Sequence, residues 1–285
     1  MKHPFNRRFA IRFLLSMLIV FCAVRQLINR NYENVFLCIL SLLMLGIPAF
    51  FERKLGIGLP NTLVVIIMLF VFCAEILGEI NAFYLKFPIW DTMLHTTNGF
   101  LMAAIGFSLV DLFNRSDRFM VQLSPLFIAI FAFCFSMTIG VLWEFCECFA
   151  DSFLHMDAQK DFFITAFNSV ALNPDGVNVP IHVEIESLVV NGEDWMQKYG
   201  GYLDIGLLDT MKDLFVNFIG AVIFSVIGFF YVKQRGRNSF ARRFIPLVFR
   251  GDNLDSFGNP IPEETLQETI QNNPNIPIPI NRNTK

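Results

Sequence analysis

The chain is short of charge, and its longest polar stretch has no cysteine. Only 16% of its 285 residues are Asp, Glu, Lys or Arg, against about a quarter in a typical soluble domain. The deficit coincides with long apolar runs, so the uncharged surface is expected to face lipid rather than fill one core. A net charge of −3 is too mild to point to a nucleic-acid partner. The six cysteines, Cys22, Cys38, Cys73, Cys134, Cys146 and Cys148, all fall within apolar runs, which argues against a disulfide framework. Cys146 and Cys148 are two apart, so on a helix they point to different sides and do not form a shared metal site. No internal repeat is visible. H-E-x-x-H, G-x-S-x-G, P-loop and G-x-G-x-x-G motifs are all missing, so zincin, serine hydrolase, ATPase and dinucleotide readings lack support.

What is present is apolar length: 54% of the residues are hydrophobic and 34 are Phe. A helix needs about 20 apolar residues to cross a bilayer. Residues 9–28, 34–51, 60–78, 90–112, 123–149 and 209–232 qualify. Backbone amides in lipid must bond within their own segment, so these runs are read as helices. The expected fold class is an all-α membrane protein, a bundle of about six transmembrane helices with a small extracytoplasmic loop region. Lys2, Arg7 and Arg8 precede the first run, Arg12 sits near its start, and no small-residue cleavage site follows, so this is an uncleaved first span rather than a signal peptide.

Basic residues set the orientation. Lys2, Arg7, Arg8 and Arg12 at the start, Arg53 and Lys54, Arg115 and Arg118, then Lys233, Arg235, Arg237, Arg242 and Arg243 all fall on one side of a six-span chain. That side is expected to be the cytoplasm, with both termini there. Residues 1–232 then form the membrane domain, including an extracytoplasmic loop at 150–208. Residues 233–285 form a basic and then disordered cytoplasmic tail. The loop carries a turn signal at Asn173-Pro174-Asp175-Gly176 and an alternating stretch from Val177 to Val190 that suits one or two strands.

Charge inside spanning helices is costly and marks function by default. Span four opens with Asp91 and His95, span five closes with Glu144 and Glu147, and span six opens with Asp209, Asp213 and Asn217. Spacings of three and four put each set on one helical face. Topology assigns all three sets to the outer leaflet. Glu75 and Glu79, near the outer end of span three, also share a face. Trp90 and Trp143 suit an interfacial aromatic belt.

So many carboxylates cannot stay ionised together without a metal, shared protons or water. Oxygen ligands with one imidazole suit Mg, Mn, Fe or Zn. In the metal reading, Asp91, His95, Glu144, Glu147, Asp209 and Asp213 are candidate ligands and Asn217 supports them from behind. Glu144 or Glu147 is then the candidate catalytic base toward a metal-bound water. Two other readings stay open: a structural clamp of polar residues between helices, and an ion, proton or solute path.

Asp91-x-x-x-His95…Gly99, Trp143-Glu144-x-x-Glu147 and Asp209-Thr210-x-x-Asp213-x-x-x-Asn217-x-x-Gly220 together resemble the YjdF-like family of bacterial inner-membrane proteins, over about 90–232. More loosely they are similar to VanZ-like membrane proteins, which are associated with the cell envelope. The long insertion before Asp209 departs from the compact VanZ-like pattern. The resemblance implies a multi-pass protein of the bacterial plasma membrane. It carries no assigned activity. The expectation is a metal-dependent enzyme or binding site for a lipid or lipid-linked envelope molecule at the outer leaflet. The alternative is a non-catalytic structural or transport component. The partners expected are the bilayer and such a lipid, with no nucleic acid.

Overall fold

The structure, a computed structural model, describes residues 7–55, 58–114, 123–234, 236, 240–245 and 267. Among them six helical stretches are long and apolar enough to cross a membrane. The first is α1 (Arg7–Ile28). The second joins α2 (Tyr32–Met44) to α3 (Ile47–Leu55), with the break at Gly46 followed by Pro48, which cannot donate a helical hydrogen bond. The third is α4 (Asn61–Val71), which widens into a π-helix over Phe72–Ile80. A short α5 (Phe83–Lys86) leads to α6 (Trp90–Asn114), the fourth, and α7 (Pro125–Leu154) is the fifth. After a loop region containing α8 (Trp195–Lys198), α9 (Leu207–Lys233) makes the sixth. The expected helical membrane fold is what the chain forms.

Contacts divide the chain into two compact units, residues 1–139 with 216–285 and residues 140–215. In the first unit one core gathers Leu63, Leu101, Phe107, Ile128 and Phe224, and a second gathers Leu15, Ile19, Cys38, Met68 and Ile76. The fourth and sixth crossings are the most enclosed: 44% of the apolar stretch of each is buried, against 22% for the first two. The rest of those first helices is apolar and exposed, as at Phe13, Phe21 and Phe36, the pattern lipid-facing helices require.

The same unit holds a departure from expectation. The tail does not simply leave the bundle after Lys233. Ala241, Phe244 and Ile245 are buried in the first core, and the Phe244 ring lies 5.0 Å from Phe100 and 6.2 Å from Phe224. Apolar residues in the run Phe240-Ala-Arg-Arg-Phe-Ile245 gain more from the core than from water. The disordered region expected from about Gly251, and the basic connection at Arg115 and Arg118, lie outside the described residues, Gln267 excepted.

The second unit is an ordered cap between two helix ends. Three antiparallel pairs build it: β1 (Phe163–Ile164) with β6 (Tyr202–Leu203), β2 (Ala166–Ser169) with β3 (Ile181–Glu184), and β4 (Val189–Val190) with β5 (Glu193–Asp194). The alternating stretch supplies β3 and β4, but their partners lie outside it. The turn signal holds: Asn173 Oδ1 accepts the Asp175 N–H at 2.9 Å and Gly176 takes φ +64°, where a side chain is disfavoured.

The helix ends also differ from the expected loop limits of 150 and 208. α7 runs on to Leu154 because Asp151, near that end, takes the N–H groups of Ala158 and Gln159 at 2.5 and 2.9 Å. α9 starts at Leu207, where Asp204 takes one of the free first-turn donors, the Leu208 N–H, at 2.7 Å.

Candidate functional site

In the first unit, α6 and α9 meet through small residues. The backbone of Asn217 lies against Gly99, and the backbones of Thr96 and Phe100 lie against Gly220, so closely that a Cβ at either glycine would overlap main-chain atoms. That approach is available only to residues without side chains. The pairs advance together along the two helices, Phe100 with Phe224 at 5.0 Å and Phe107 with Tyr231 at 6.2 Å, so the helices run parallel.

Polar groups concentrate at this crossing. Asn98 Nδ2 donates to Asn217 Oδ1 at 3.2 Å, Asn217 Nδ2 meets Met137 Sδ at 3.7 Å, and Ser136 Oγ donates to Gly99 O at 2.7 Å. Asn217 is fully buried. One and two turns before Gly99 on α6, His95 Nε2 and Asp91 Oδ1 lie 3.4 Å apart, with side chains 13% and 22% exposed. The expected α6 face therefore exists, and Asn98 belongs to it. Sequence reasoning passed over Asn98, although its spacing of three from His95 and seven from Asp91 was the signal.

In the second unit, Asp213 is 2% and Asp209 5% exposed. Lys212 Nζ stands 3.2 Å from Asp209 Oδ1 and 3.6 Å from Asp213 Oδ1. The other oxygen of Asp209 accepts the Lys160 N–H at 2.9 Å. Asp209 thus pins the cap to the start of α9, and the neighbouring Thr210 Oγ1 accepts from Gln159 Nε2 at 2.5 Å. On α7, Glu144 is buried at 5% exposure. Glu147 accepts from Trp143 Nε1 at 2.8 Å in an exposed pair. The two glutamates, alternative candidates for the base, therefore differ in environment.

Two further groups were only partly legible. Glu75 and Glu79 sit in the π-helix, a form that often marks functional positions. Trp90 packs edge-on to Phe83 at 4.9 Å, an aromatic cluster that suits a belt. Glu52 was not singled out at all. It accepts both Arg8 guanidinium nitrogens, at 3.1 and 3.0 Å, and the Leu59 N–H at 3.0 Å.

Chemically, carboxylates with one imidazole can hold a hard or borderline divalent cation. The amide pair Asn98–Asn217 joins the two helices. No curated protein and no solved structure matches the chain. The model of one family, described as "Predicted membrane protein (DUF2238)", matches residues 10–234. That match runs from within α1 to just past α9, through every crossing, and the chain belongs to this family of predicted membrane proteins.

Proposed function

We propose that Asp91, His95 and Asp213 hold a divalent cation, each giving one carboxylate oxygen or ring nitrogen, and that the protein acts with it on a lipid or lipid-linked envelope molecule. One observation carries the reading: α6 and α9 run parallel and touch at Gly99, Asn98 and Asn217. Asp213 is one turn before Asn217 on an unbroken helix, and His95 is one turn before Gly99.

The donor set is compatible with Mg, Mn, Fe or Zn. Bound there, the ion would polarise a phosphoryl or carbonyl oxygen, or lower the pKa of a water. Asp209 and Glu147 have other partners, so their share in binding is smaller than the sequence suggested. Glu144, buried on α7 where Glu147 is tied to Trp143, is the better candidate for a base. Asn217 braces the ligand helix from one turn away.

The orientation reading, with both termini cytoplasmic, sets this site at the outer leaflet of a bacterial plasma membrane. In that orientation the polar groups lie level with phospholipid headgroups, which supports a lipid or lipid-linked substrate. The test compares envelope lipid composition between a strain lacking the protein and its parent. Wild type should restore the parental profile and His95→Ala or Asp213→Ala should not; restoration by both variants would reject the site. A second reading is favoured by the Asn98–Asn217 bond: a clamp joining helices, with no turnover. Under it the same variants change thermal stability alone.

A further inference from the structure

We propose that Cys22 on α1 and Cys38 on α2 are a reversible redox pair whose disulfide locks the first two crossings together. This goes beyond the cation reading and does not rest on it. Both residues belong to the first unit, and three observations carry the pairing.

The first is register. α1 ends at Ile28 and α2 begins at Tyr32, and so short a connection makes the packed helices antiparallel neighbours. Cys22 lies six residues before the one end and Cys38 six residues after the other, which is about 9 Å down each helix. The two thiols are therefore level. The second is facing. Leu15, Ile19, Cys22 and Gln26 form the buried stripe of α1, at helical spacings of four and three. Cys38 and Ser41 are the buried residues of α2. Both thiols stand in one core with Ile19, Met68 and Val71. The third is contact. The Cys22 and Cys38 side chains hydrogen-bond to each other, and both thiols are free.

The surroundings select the product. A thiolate, alone or on a soft metal, would bring charge into an apolar core. A disulfide is neutral and brings none. It would also close a loop of about 15 residues, which restricts the unfolded chain. Cys22 is 7% exposed and Cys38 0%, and Phe21 and Val24 on either side of Cys22 are exposed and apolar. The oxidant is accordingly a disulfide soluble in the apolar layer, and Cys22 meets it first. The Cys22 sulfur attacks one sulfur of that disulfide, and its proton leaves with the departing thiol. The Cys38 sulfur then attacks Cys22 in the mixed disulfide and displaces the second thiol, which takes the Cys38 proton. One S–S bond breaks and one forms. The pair loses two electrons and two protons, and the oxidant gains both as two thiols.

The test uses the folded full-length chain with Cys73, Cys134, Cys146 and Cys148 replaced by alanine. Uncharged dipyridyl disulfide is added, and released pyridinethione and intact mass are read. Two thiones per chain should appear, with no pyridyl group retained and a mass lower by two hydrogens. The unfolding temperature should rise, and a dithiol reductant should reverse the change. Adding Cys38→Ala should leave one pyridyl group held on Cys22. If the four-alanine chain does not elute as a folded, monodisperse protein, the wild type is treated and digested instead, and a peptide linking Cys22 to Cys38 is expected. Two retained pyridyl groups, or a wild type without the linked peptide, would show thiols that do not join. A folded chain that stays unreacted where the unfolded chain reacts would show thiols that no oxidant reaches. Each of these outcomes would overturn the pair.

Discussion

A carboxylate removed from water needs a counter-charge and hydrogen-bond donors around it, and Glu52 has both in Arg8 and the Leu59 N–H. The pair is enclosed, with side chains 11% and 5% exposed. Glu52→Gln should cost about 3–5 kcal/mol, because it leaves the guanidinium uncompensated. Replacing both residues with apolar ones should recover much of that loss. Thermal unfolding of the single and double variants in detergent checks it. In the cap, partial desolvation pushes the Asp161 carboxyl above its usual range, and the neighbouring Asp157, Asp204 and Asp151 push it the same way, while a hydrogen bond from the Gly206 backbone opposes them. A raised folded-state pKa adds stability below the unfolded value, and that stability is lost as pH rises through the folded value. Asp161→Asn should therefore leave the cap as stable or slightly more stable at neutral pH, by under about 1 kcal/mol since the group is exposed. It should also remove the relative gain on acidification. Limited proteolysis of the cap across the acid range reads both. At this scale the sequence is informative where partners are near. The four-residue spacing of Asp91 and His95 implied their pairing. The partner of Arg8 lies 44 positions away, and nothing in local spacing announces it; Arg8 read only as an orienting charge.

Among the elements, the crossing of α6 and α9 is the most constrained contact, because the backbone of each helix is pressed against a glycine of the other. Gly99→Ala and Gly220→Ala should each destabilise by about 1–3 kcal/mol or more, since main chain cannot yield as a side chain does. A lowered unfolding temperature with the helical content of the folded state retained is the expected readout. The cap depends on carboxylates at its edges. Asp204 takes the N–H groups of Phe162 and Leu208 at 2.8 and 2.7 Å. Asp204→Ala should cost about 1 kcal/mol and speed hydrogen exchange at Phe162 and Leu208, with exchange in α1 and α2 unchanged. The spanning helices were legible because apolar length alone specifies them. The cap strands were not. Pairs of two to four residues are fixed by partners such as Phe163 and Leu203, which are distant in sequence and carry no local pattern.

For the whole molecule, a count of apolar runs led to six helices of the right length, since lipid allows few alternatives. The return of Phe244 into the core was hidden by its neighbours. Arg242 and Arg243 made the segment look like a basic edge, and hydropathy windows average such a short apolar insertion away. The candidate site was legible as three polar clusters on helix faces. The division of roles within it was not, because Lys160 and Trp143, which engage Asp209 and Glu147, act through geometry that spacing does not encode. The account turns on a cation held by α6 and α9, and the metal content of the purified full-length chain tests it most directly. Elemental analysis after removal of loosely bound ions should find a stoichiometric divalent metal in the wild type, lost in His95→Ala and in Asp213→Ala but kept in Glu147→Ala. A folded wild type without metal, or metal retained in both ligand variants, would contradict it.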